Sequence, residues 1–309
     1  MSVARTRKAP TSWRHSRVHP SVVRIDIDLG SVDGSQDFLL RGDAHHDNPH
    51  SLHDREKEDL DEAQRRGACI LDVGDLFCAM GGRADPRRAR KGVTRTEHLD
   101  AEDYFDSLVK HAAAFYALYA KSFAVIAHGN HETAVLKNQN TDLTARLIER
   151  LNERTGSTIE HGHYSGDIYI MVKSGKHKCG FWLTYFHGSG GGGLMTLGTL
   201  AIRRQASWNP MAQVVVCGHI HERWAVEIVR KVPSIRSGRV SVDLESQWHI
   251  RTGCYKEEYG DGHGGFHVER GAPPKPVGAM WMRVGIRRDQ SGGSDVCRPR
   301  LEFTATESR

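Results

Sequence analysis

Five short runs of metal-binding residue types stand out in the sequence, and each follows an apolar stretch with the composition of a β-strand. The runs are Asp43-Ala44-His45, Gly74-Asp75, Gly129-Asn130-His131-Glu132, the single His187 and Gly218-His219-Ile220-His221. Imidazole nitrogens combined with carboxylate and amide oxygens suit first-row divalent cations. One such run alone is more often a turn or a satisfied polar contact. Five of them in succession predict a metal centre.

The runs should meet in space, because the loops at the carboxyl ends of strands in α/β folds converge on one edge. Side chains two residues apart in a strand point to the same face. If strand geometry persists, Asp43 and His45 deliver two ligands to one side, and so do His219 and His221.

The elements that would hold these runs alternate between strands and helices through the middle of the chain. Strands are predicted at 22–29, 38–43, 68–75, 123–127, 168–172, 181–186 and 213–217, and helices at 51–66, 97–120, 142–153 and 194–206. After residue 222 strands dominate, at 224–229, 240–244, 248–251, 277–286 and 300–304. The predicted fold class is α/β, with two sheets packed face to face and helices outside. A single doubly wound sheet is the alternative.

The composition excludes a chain with a membrane-spanning helix. The 309 residues include 38% hydrophobic residues, with a net charge of +5 and a mean hydropathy of −0.53. No apolar run reaches the roughly 20 residues that a spanning helix needs, so we expect a soluble protein without a membrane partner. The six cysteines lie far apart with no CxxC pair, which favours a reducing, cytoplasmic setting.

Residues 1–20 differ from the rest of the chain, because they hold five lysines and arginines and no acidic residue. We interpret them as a basic, disordered tail. Contact with nucleic acid and a transit peptide are the alternatives. Residues 21–309 are interpreted as one domain, with the motifs at 43–221 and a β-rich part at 222–309.

The order D-x-H, G-D, G-N-H-E, H and G-H-x-H resembles the calcineurin-like metallophosphoesterase superfamily, over the chain from Asp43 to His221. The resemblance implies a four-layer αββα sandwich of two mixed β-sheets flanked by helices, with two divalent cations. By matching position, the implied ligands are Asp43, His45 and His221 for one cation, Asn130, His187 and His219 for the other, and Asp75 as the bridge.

The activity that this resemblance implies is hydrolysis of a phosphate ester by a water or hydroxide shared between the two cations. His131 matches the residue that would stabilise the reacting phosphate or protonate the leaving group as a general acid. Mn²⁺ is the first choice of cation, with Zn²⁺, Fe²⁺, Ni²⁺ and Mg²⁺ as alternatives. Glu132 would either orient His131 or act as a carboxylate at a helix start.

Departures from one branch of the superfamily narrow the substrate class. Ser/Thr protein phosphatases carry an arginine directly before G-N-H-E, where this chain has His128, and this argues against a protein phosphatase. The G-D-L-F block at 74–77 resembles the nuclease branch, and the loop G-R-A-D-P-R at 82–87 resembles that of phage and bacterial phosphoesterases. Arg83 and Arg87 are therefore candidates for substrate binding, with a solvated loop as the alternative.

We expect a phosphodiesterase or nuclease whose partner is a phosphate ester, with nucleic acid or a nucleotide as candidates. A phosphomonoesterase acting on a small molecule or protein, and a non-catalytic binding protein, are the alternatives. The glycine-rich loop at 188–193 would let backbone N–H groups approach an anion. Residues 255–267 are interpreted as a loop that contacts substrate, and a third metal at Asp261, His263 and His267 is the other interpretation. His46 and Asp47 would support the centre, and the oligomeric state is left open.

Overall fold

The computed structural model describes residues 11–81, 94–99, 103–236, 238–260, 266–269, 271–291 and 294–307. The strands are β1 Ser12–His19, β2 Val22–Asp28, β3 Gln36–Arg41, β4 Cys69–Asp72, β5 Phe123–Ile126, β6 Glu160–His161, β7 Ser165–Ser174, β8 His177–Phe186, β9 Val214–Cys217, β10 Arg223–Arg236, β11 Arg239–Thr252, β12 Met280–Ser291 and β13 Ser294–Ala305. The helices are α1 His53–Arg66, α2 Thr96–Leu99, α3 Tyr104–Tyr116, α4 Asn130–Gln139, α5 Leu143–Thr155, α6 Thr199–Trp208 and α7 Phe266–Glu269, with a short 3-10 helix at Ala120–Ser122.

The strands form two mixed sheets. One has seven strands in the order β1-β2-β7-β8-β9-β11-β10, and the other has six in the order β13-β12-β3-β4-β5-β6. In the six-stranded sheet β3, β4 and β5 are parallel neighbours, and in the seven-stranded sheet β8 and β9 are parallel neighbours. The alternative of a single doubly wound sheet is therefore wrong.

Alternating side chains give each sheet two apolar faces. On β3, Phe38 and Leu40 lie in the core between the sheets, whereas Leu39 lies in the core that α1, α3 and α5 cover. On the far side of the other sheet, Ile202 of α6 packs against Val215 of β9. The order helix, sheet, sheet, helix confirms the predicted four-layer αββα sandwich.

The amino-terminal segment departs from the prediction. Ser12–His19, part of the predicted tail, forms edge strand β1 and pairs antiparallel with β2. Trp13 packs against the core between the sheets, and the Arg17 guanidinium lies 2.8 Å from Glu160. The positive charge that suggested disorder suits an edge strand, because charged side chains discourage pairing with other chains. Residues 1–10 lie outside the described residues.

The helices differ from the prediction in three places. The predicted helix at 97–120 is split into α2 and α3, and α6 begins at Thr199 rather than at residue 194. Helix α4 was not predicted, because only Glu132 and Val135 are buried along it and no apolar periodicity marks it. The short strands predicted at 224–251 are parts of the long β10–β11 hairpin.

None of the described helices has the length and hydropathy that crossing a bilayer requires.

Candidate metal centre

Four of the five ligand-bearing runs lie in loops just beyond the carboxyl ends of strands, and the run from Gly129 to Glu132 lies at the start of α4. Strands β3, β4 and β9 end two or three residues before the first ligand of their run. Five of the seven predicted ligands have left-handed backbone angles, with φ between 45° and 76°: Asp43, His45, Asp75, His219 and His221. The expectation that strand geometry persists through these residues is wrong, because the backbone turns at each of them. Such conformations cost about 1–3 kcal/mol each and concentrate at functional sites.

Asp43, His45 and His221 form the first cluster, in which one potential ligand atom of each lies within 4.8 Å of the others. His45 Nε2 is 3.1 Å from His221 Nε2, and His221 Nε2 is 3.5 Å from Asp43 Oδ1. All three side chains are buried. Nitrogen ligands of a tetrahedral zinc ion are about 3.3 Å apart, so this spacing suits a shared cation.

Asp75, His187 and His219 form the second cluster by the same criterion. His187 Nε2 is 3.1 Å from Asp75 Oδ2. The Asn130 side-chain oxygen joins them, 2.7 Å from His219 Nδ1 and 3.2 Å from His187 Nε2. The structure thus brings together all seven predicted ligands in two adjoining groups.

Glycine allows the loops to approach this closely at two positions. A Cβ atom on Gly218 would lie 2.5 Å from Asp43 Oδ2, and one on Gly129 would lie 1.9 Å from Asp75 Oδ1. Backbone N–H groups donate to the same two oxygens, from His219 to Asp43 at 2.8 Å and from His131 to Asp75 at 3.0 Å. Each carboxylate therefore has one oxygen fixed by the backbone, and its other oxygen faces the histidines.

The buried polar atoms of the centre fit a bound cation. Asp43 Oδ1 is buried and has no hydrogen-bond partner among the described residues. An unsatisfied buried acceptor costs about 1–3 kcal/mol, more when charged. A cation at this oxygen would supply the missing partner, and the mixed imidazole, carboxylate and amide donors suit first-row divalent ions.

The buried groups of the second cluster shift the pKa values of one another. Burial alone would lower the pKa of His187, but Asp75 outweighs it and raises this pKa to about 9. Burial alone would raise the pKa of Asp75, but His187 and His131 hold it well below its usual range. In the first cluster, burial and the neighbouring His131 keep the pKa of His45 well below its ordinary value. Metal binding would therefore displace a proton from His187.

His131 is oriented differently from the seven ligands. Its Nδ1 lies 2.6 Å from the carbonyl oxygen of Cys78, so Nδ1–H donates to that carbonyl. This contact leaves Nε2 as the free ring nitrogen, 3.9 Å from Asp75 Oδ2. His131 is partly exposed, as are the ligands Asn130 and His219, whereas the other five predicted ligands are buried. The centre therefore opens to solvent on the side of these three residues.

The structure has two sheets packed face to face and seven predicted ligand side chains that converge. These are the fold and the ligand positions that the resemblance to the calcineurin-like metallophosphoesterases implies.

Three solved structures are similar to this chain over most of its length. Vacuolar Protein Sorting 29 from Cryptosporidium parvum is 14% identical with a TM-score of 0.34, covering 88% of this chain and 99% of its own. Vps29 from Entamoeba histolytica, complexed with Zn²⁺, is 11% identical with a TM-score of 0.33, covering 86% and 99%. A predicted phosphoesterase from Streptococcus pneumoniae is 10% identical with a TM-score of 0.30, covering 86% and 99%. No protein-family model and no curated protein matches the chain. These identities and TM-scores are low and give no information on the chemistry of the site.

Of the two interpretations of Glu132, its contacts match the carboxylate at a helix start. Its buried carboxylate accepts the backbone N–H groups of Gly129 at 2.8 Å, Phe77 at 2.8 Å and Asp75 at 3.2 Å. It thereby joins the loop after β4 to the start of α4. Among the described residues, the hydrogen bonds of this carboxylate go to backbone N–H groups and not to the His131 ring. Burial and the charge of Asp75 raise the pKa of Glu132 to about 8.

The two residues after His45 have separate roles. The Asp47 carboxylate accepts the N–H groups of Cys78 at 2.7 Å and Ala79 at 2.9 Å, so it supports the loop that carries the His131 acceptor. His46 stacks on His53, with ring centroids 4.1 Å apart. Sequence reasoning placed both near the centre, but it could not tell which loop each would contact.

The predicted substrate-contacting residues lie partly outside the described residues, including Arg83, Arg87, Asp261 and His263. In the glycine-rich loop, the carbonyl oxygen of Gly190 lies 3.0 Å from His219 Nε2, so this loop presents an acceptor to the centre there. The ring of His267 is 5.1 Å from the ring of His221.

Lys256 is a residue near the centre that sequence reasoning did not single out. It is largely buried, and its positive charge lowers the pKa of His45. Its ammonium group is paired with Glu258. The one sequence signal for Lys256 was its position within residues 255–267, which were interpreted as a loop that contacts substrate.

Proposed function

We propose that this protein is a dinuclear metal-dependent phosphodiesterase that acts on a nucleic acid or a nucleotide. The observation that carries the proposal is the pairing of two adjoining ligand clusters with a free His131 Nε2 on the open side of the centre. The seven ligands and His131 are all present, which also weighs against a non-catalytic binding protein.

One cation would be held by Asp43, His45 and His221, the other by Asn130, His187 and His219, and Asp75 would bridge them. Bound there, the cations would act as Lewis acids on the ester and lower the pKa of water.

His131 would supply the proton that the leaving oxygen needs. The hydrogen bond from Nδ1–H to the Cys78 carbonyl fixes the ring, so proton exchange occurs at Nε2. In its protonated form, Nε2–H can donate to the leaving oxygen of a substrate that enters from the open side. General acid catalysis of this kind contributes about 10²–10⁴-fold in rate.

Among the described residues, the charge near the centre supports a diester rather than a monoester. A phosphomonoester is a dianion near neutral pH and needs more positive charge around it than a diester does. The charge of Lys256, which acts on His45, is already balanced by Glu258. Arg83 and Arg87 remain candidates for contacts with the phosphates of a longer substrate.

The test compares cleavage of bis-p-nitrophenyl phosphate and p-nitrophenyl phosphate by metal-stripped protein supplied with Mn²⁺, Mg²⁺, Zn²⁺ or no metal. We expect metal-dependent cleavage that favours the diester and is lost in Asp75→Asn and His131→Ala. The His177→Ala variant, altered on β8, is the control for loss of a histidine. A clear preference for the monoester would overturn the substrate class, and a protein that binds no divalent cation would overturn the whole proposal.

A further inference from the structure

A cluster of three histidines and one aspartate lies outside the seven predicted ligands. One ring nitrogen from each of His128, His161 and His163 lies within 4.8 Å of the others. His128 Nε2 is 2.8 Å from Asp142 Oδ1 and 3.1 Å from His161 Nε2. His161 Nε2 is in turn 3.6 Å from Asp142 Oδ2. Three imidazoles, with the Asp142 carboxylate beside two of them, are the ligand types that a tetrahedral cation takes.

Hydrogen bonds satisfy this cluster only in part. His161 Nδ1 accepts a backbone N–H, so the proton of this neutral ring lies on Nε2. If His128 Nε2 also carries a proton and donates it to Asp142, the 3.1 Å contact between the two Nε2 atoms has no hydrogen bond. A cation bound to the lone pairs of both nitrogens and to the carboxylate would satisfy all three groups at once. The 3.1 Å between the two Nε2 atoms is close to the roughly 3.3 Å between nitrogen ligands of tetrahedral zinc.

The four side chains come from three separate parts of the fold. His128 follows β5, Asp142 is the N-cap residue of α5, and His161 and His163 lie at the end of β6 and just after it. The backbone N–H of His128 donates to the carbonyl of His163 at 2.7 Å, so two of the three parts are already joined. The cluster is therefore held by the packing of the fold, although its sequence positions are far apart.

The charges around the cluster allow a cation. Burial raises the pKa of Asp142, but hydrogen bonds from His128 and His161 outweigh it and hold this pKa well below its usual range. Burial and the neighbouring His161 lower the pKa of His163. Arg17, the nearby positive charge, is already paired with Glu160 at 2.8 Å.

One existing contact would change on metal binding. The backbone N–H of His163 lies 3.2 Å from His161 Nδ1, which acts as its acceptor. A neutral imidazole that binds metal through Nε2 carries its proton on Nδ1, so this backbone N–H must turn away. The His163 amide signal in a ¹H–¹⁵N spectrum reports this change directly.

We propose that His128, Asp142, His161 and His163 bind a further divalent cation of the zinc type, separate from the dinuclear centre. With four protein ligands the site is closed, as structural zinc sites are. The cation would fix the segment that leads from β5 into Gly129 and Asn130.

The test counts Zn²⁺ ions per chain after equilibrium dialysis of metal-stripped protein, by mass spectrometry of the metal. We expect the wild type to hold one ion more than His163→Ala, and the His161→Ala variant to show the same loss. His163 is exposed, so its replacement should leave the fold intact, which near-UV circular dichroism checks. The control is His19→Ala, altered at an exposed histidine of β1 that belongs to no cluster.

Equal zinc content in the wild type and His163→Ala would overturn the proposal, and so would an unchanged His163 amide signal on addition of zinc. The dinuclear centre can fail independently. In that case the wild type would hold a single ion, and His163→Ala would still lose it.

Discussion

Replacing Gly129 by alanine tests how the centre holds Asp75. The added Cβ would lie 1.9 Å from Asp75 Oδ1 and 2.4 Å from the Asp75 backbone nitrogen. Ordinary van der Waals contact begins at 3.4 Å, so the alanine or Asp75 must move by about 1.5 Å. Because backbone and carboxylate are both obstructed, rotation of the Asp75 side chain cannot relieve the overlap. A misplacement of about 1 Å can cost 10²-fold in rate, and overpacking costs about 1–3 kcal/mol.

We therefore expect Gly129→Ala to lose at least about 10²-fold in kcat/KM for bis-p-nitrophenyl phosphate and to bind metal more weakly. The matched control is Gly156→Ala, at the C-cap of α5, where φ is 67° and no atom lies within 4 Å of the added Cβ. That variant should lose about 1–2 kcal/mol of stability but keep its metals and its activity. Metal content, thermal unfolding and kinetics are measured on both. Wild-type activity and metal content in Gly129→Ala would refute the account of how Asp75 is held.

Three further predictions concern single residues. His131→Ala should lower kcat by about 10²–10⁴-fold while the metal content stays at the wild-type level, so a parallel loss of metal would contradict the general-acid role. Glu132→Ala should destabilise the protein by several kcal/mol in urea unfolding, because three backbone N–H groups lose their acceptor at about 1–3 kcal/mol each. Burial alone would raise the pKa of Glu56, but Arg41 and hydrogen bonds that include one from Tyr116 hold it at about 2, below its ordinary 4.5. Its ionised form therefore adds roughly 3 kcal/mol to the free energy of unfolding, which is present above pH 4.5 and lost as the pH falls towards 2. Acid should accordingly narrow the difference in stability between the wild type and Glu56→Gln. A difference in urea midpoints that stays constant with pH would contradict this.

The sequence predicted which residues converge, because the ligand types follow the strands directly. Asp43, Asp75 and Asn130 come after β3, β4 and β5, which are neighbours in one sheet, and parallel neighbours bring their following loops to the same edge. The two-sheet architecture came from the resemblance and from the change to a strand-rich pattern after residue 222. The converging residues and the two-sheet architecture could be predicted because the patterns that mark them lie within short stretches of sequence.

The details that sequence missed depend on contacts between distant parts of the chain. The left-handed backbone at His45 and His221 is imposed by the surrounding loops, since non-glycine residues do not favour it by themselves. The role of Glu132 depends on where the Asp75 loop lies relative to α4. The cluster around His128 joins residues up to 35 positions apart, so no spacing rule marks it.

Edge strand β1 was missed for a different reason. Its polar and charged residues outnumber its apolar ones. The partners that order it are far away in sequence: Glu160 for Arg17, and the core between the sheets for Trp13. Local composition therefore favoured disorder, whereas tertiary contacts decide the outcome.

The most direct test of the central claim is anomalous diffraction from crystals soaked in Mn²⁺. The account predicts two anomalous peaks about 3.5–4 Å apart, one beside Asp43, His45 and His221 and the other beside Asn130, His187 and His219, with Asp75 between them. No peak, or a single peak at these seven side chains, would contradict a dinuclear centre.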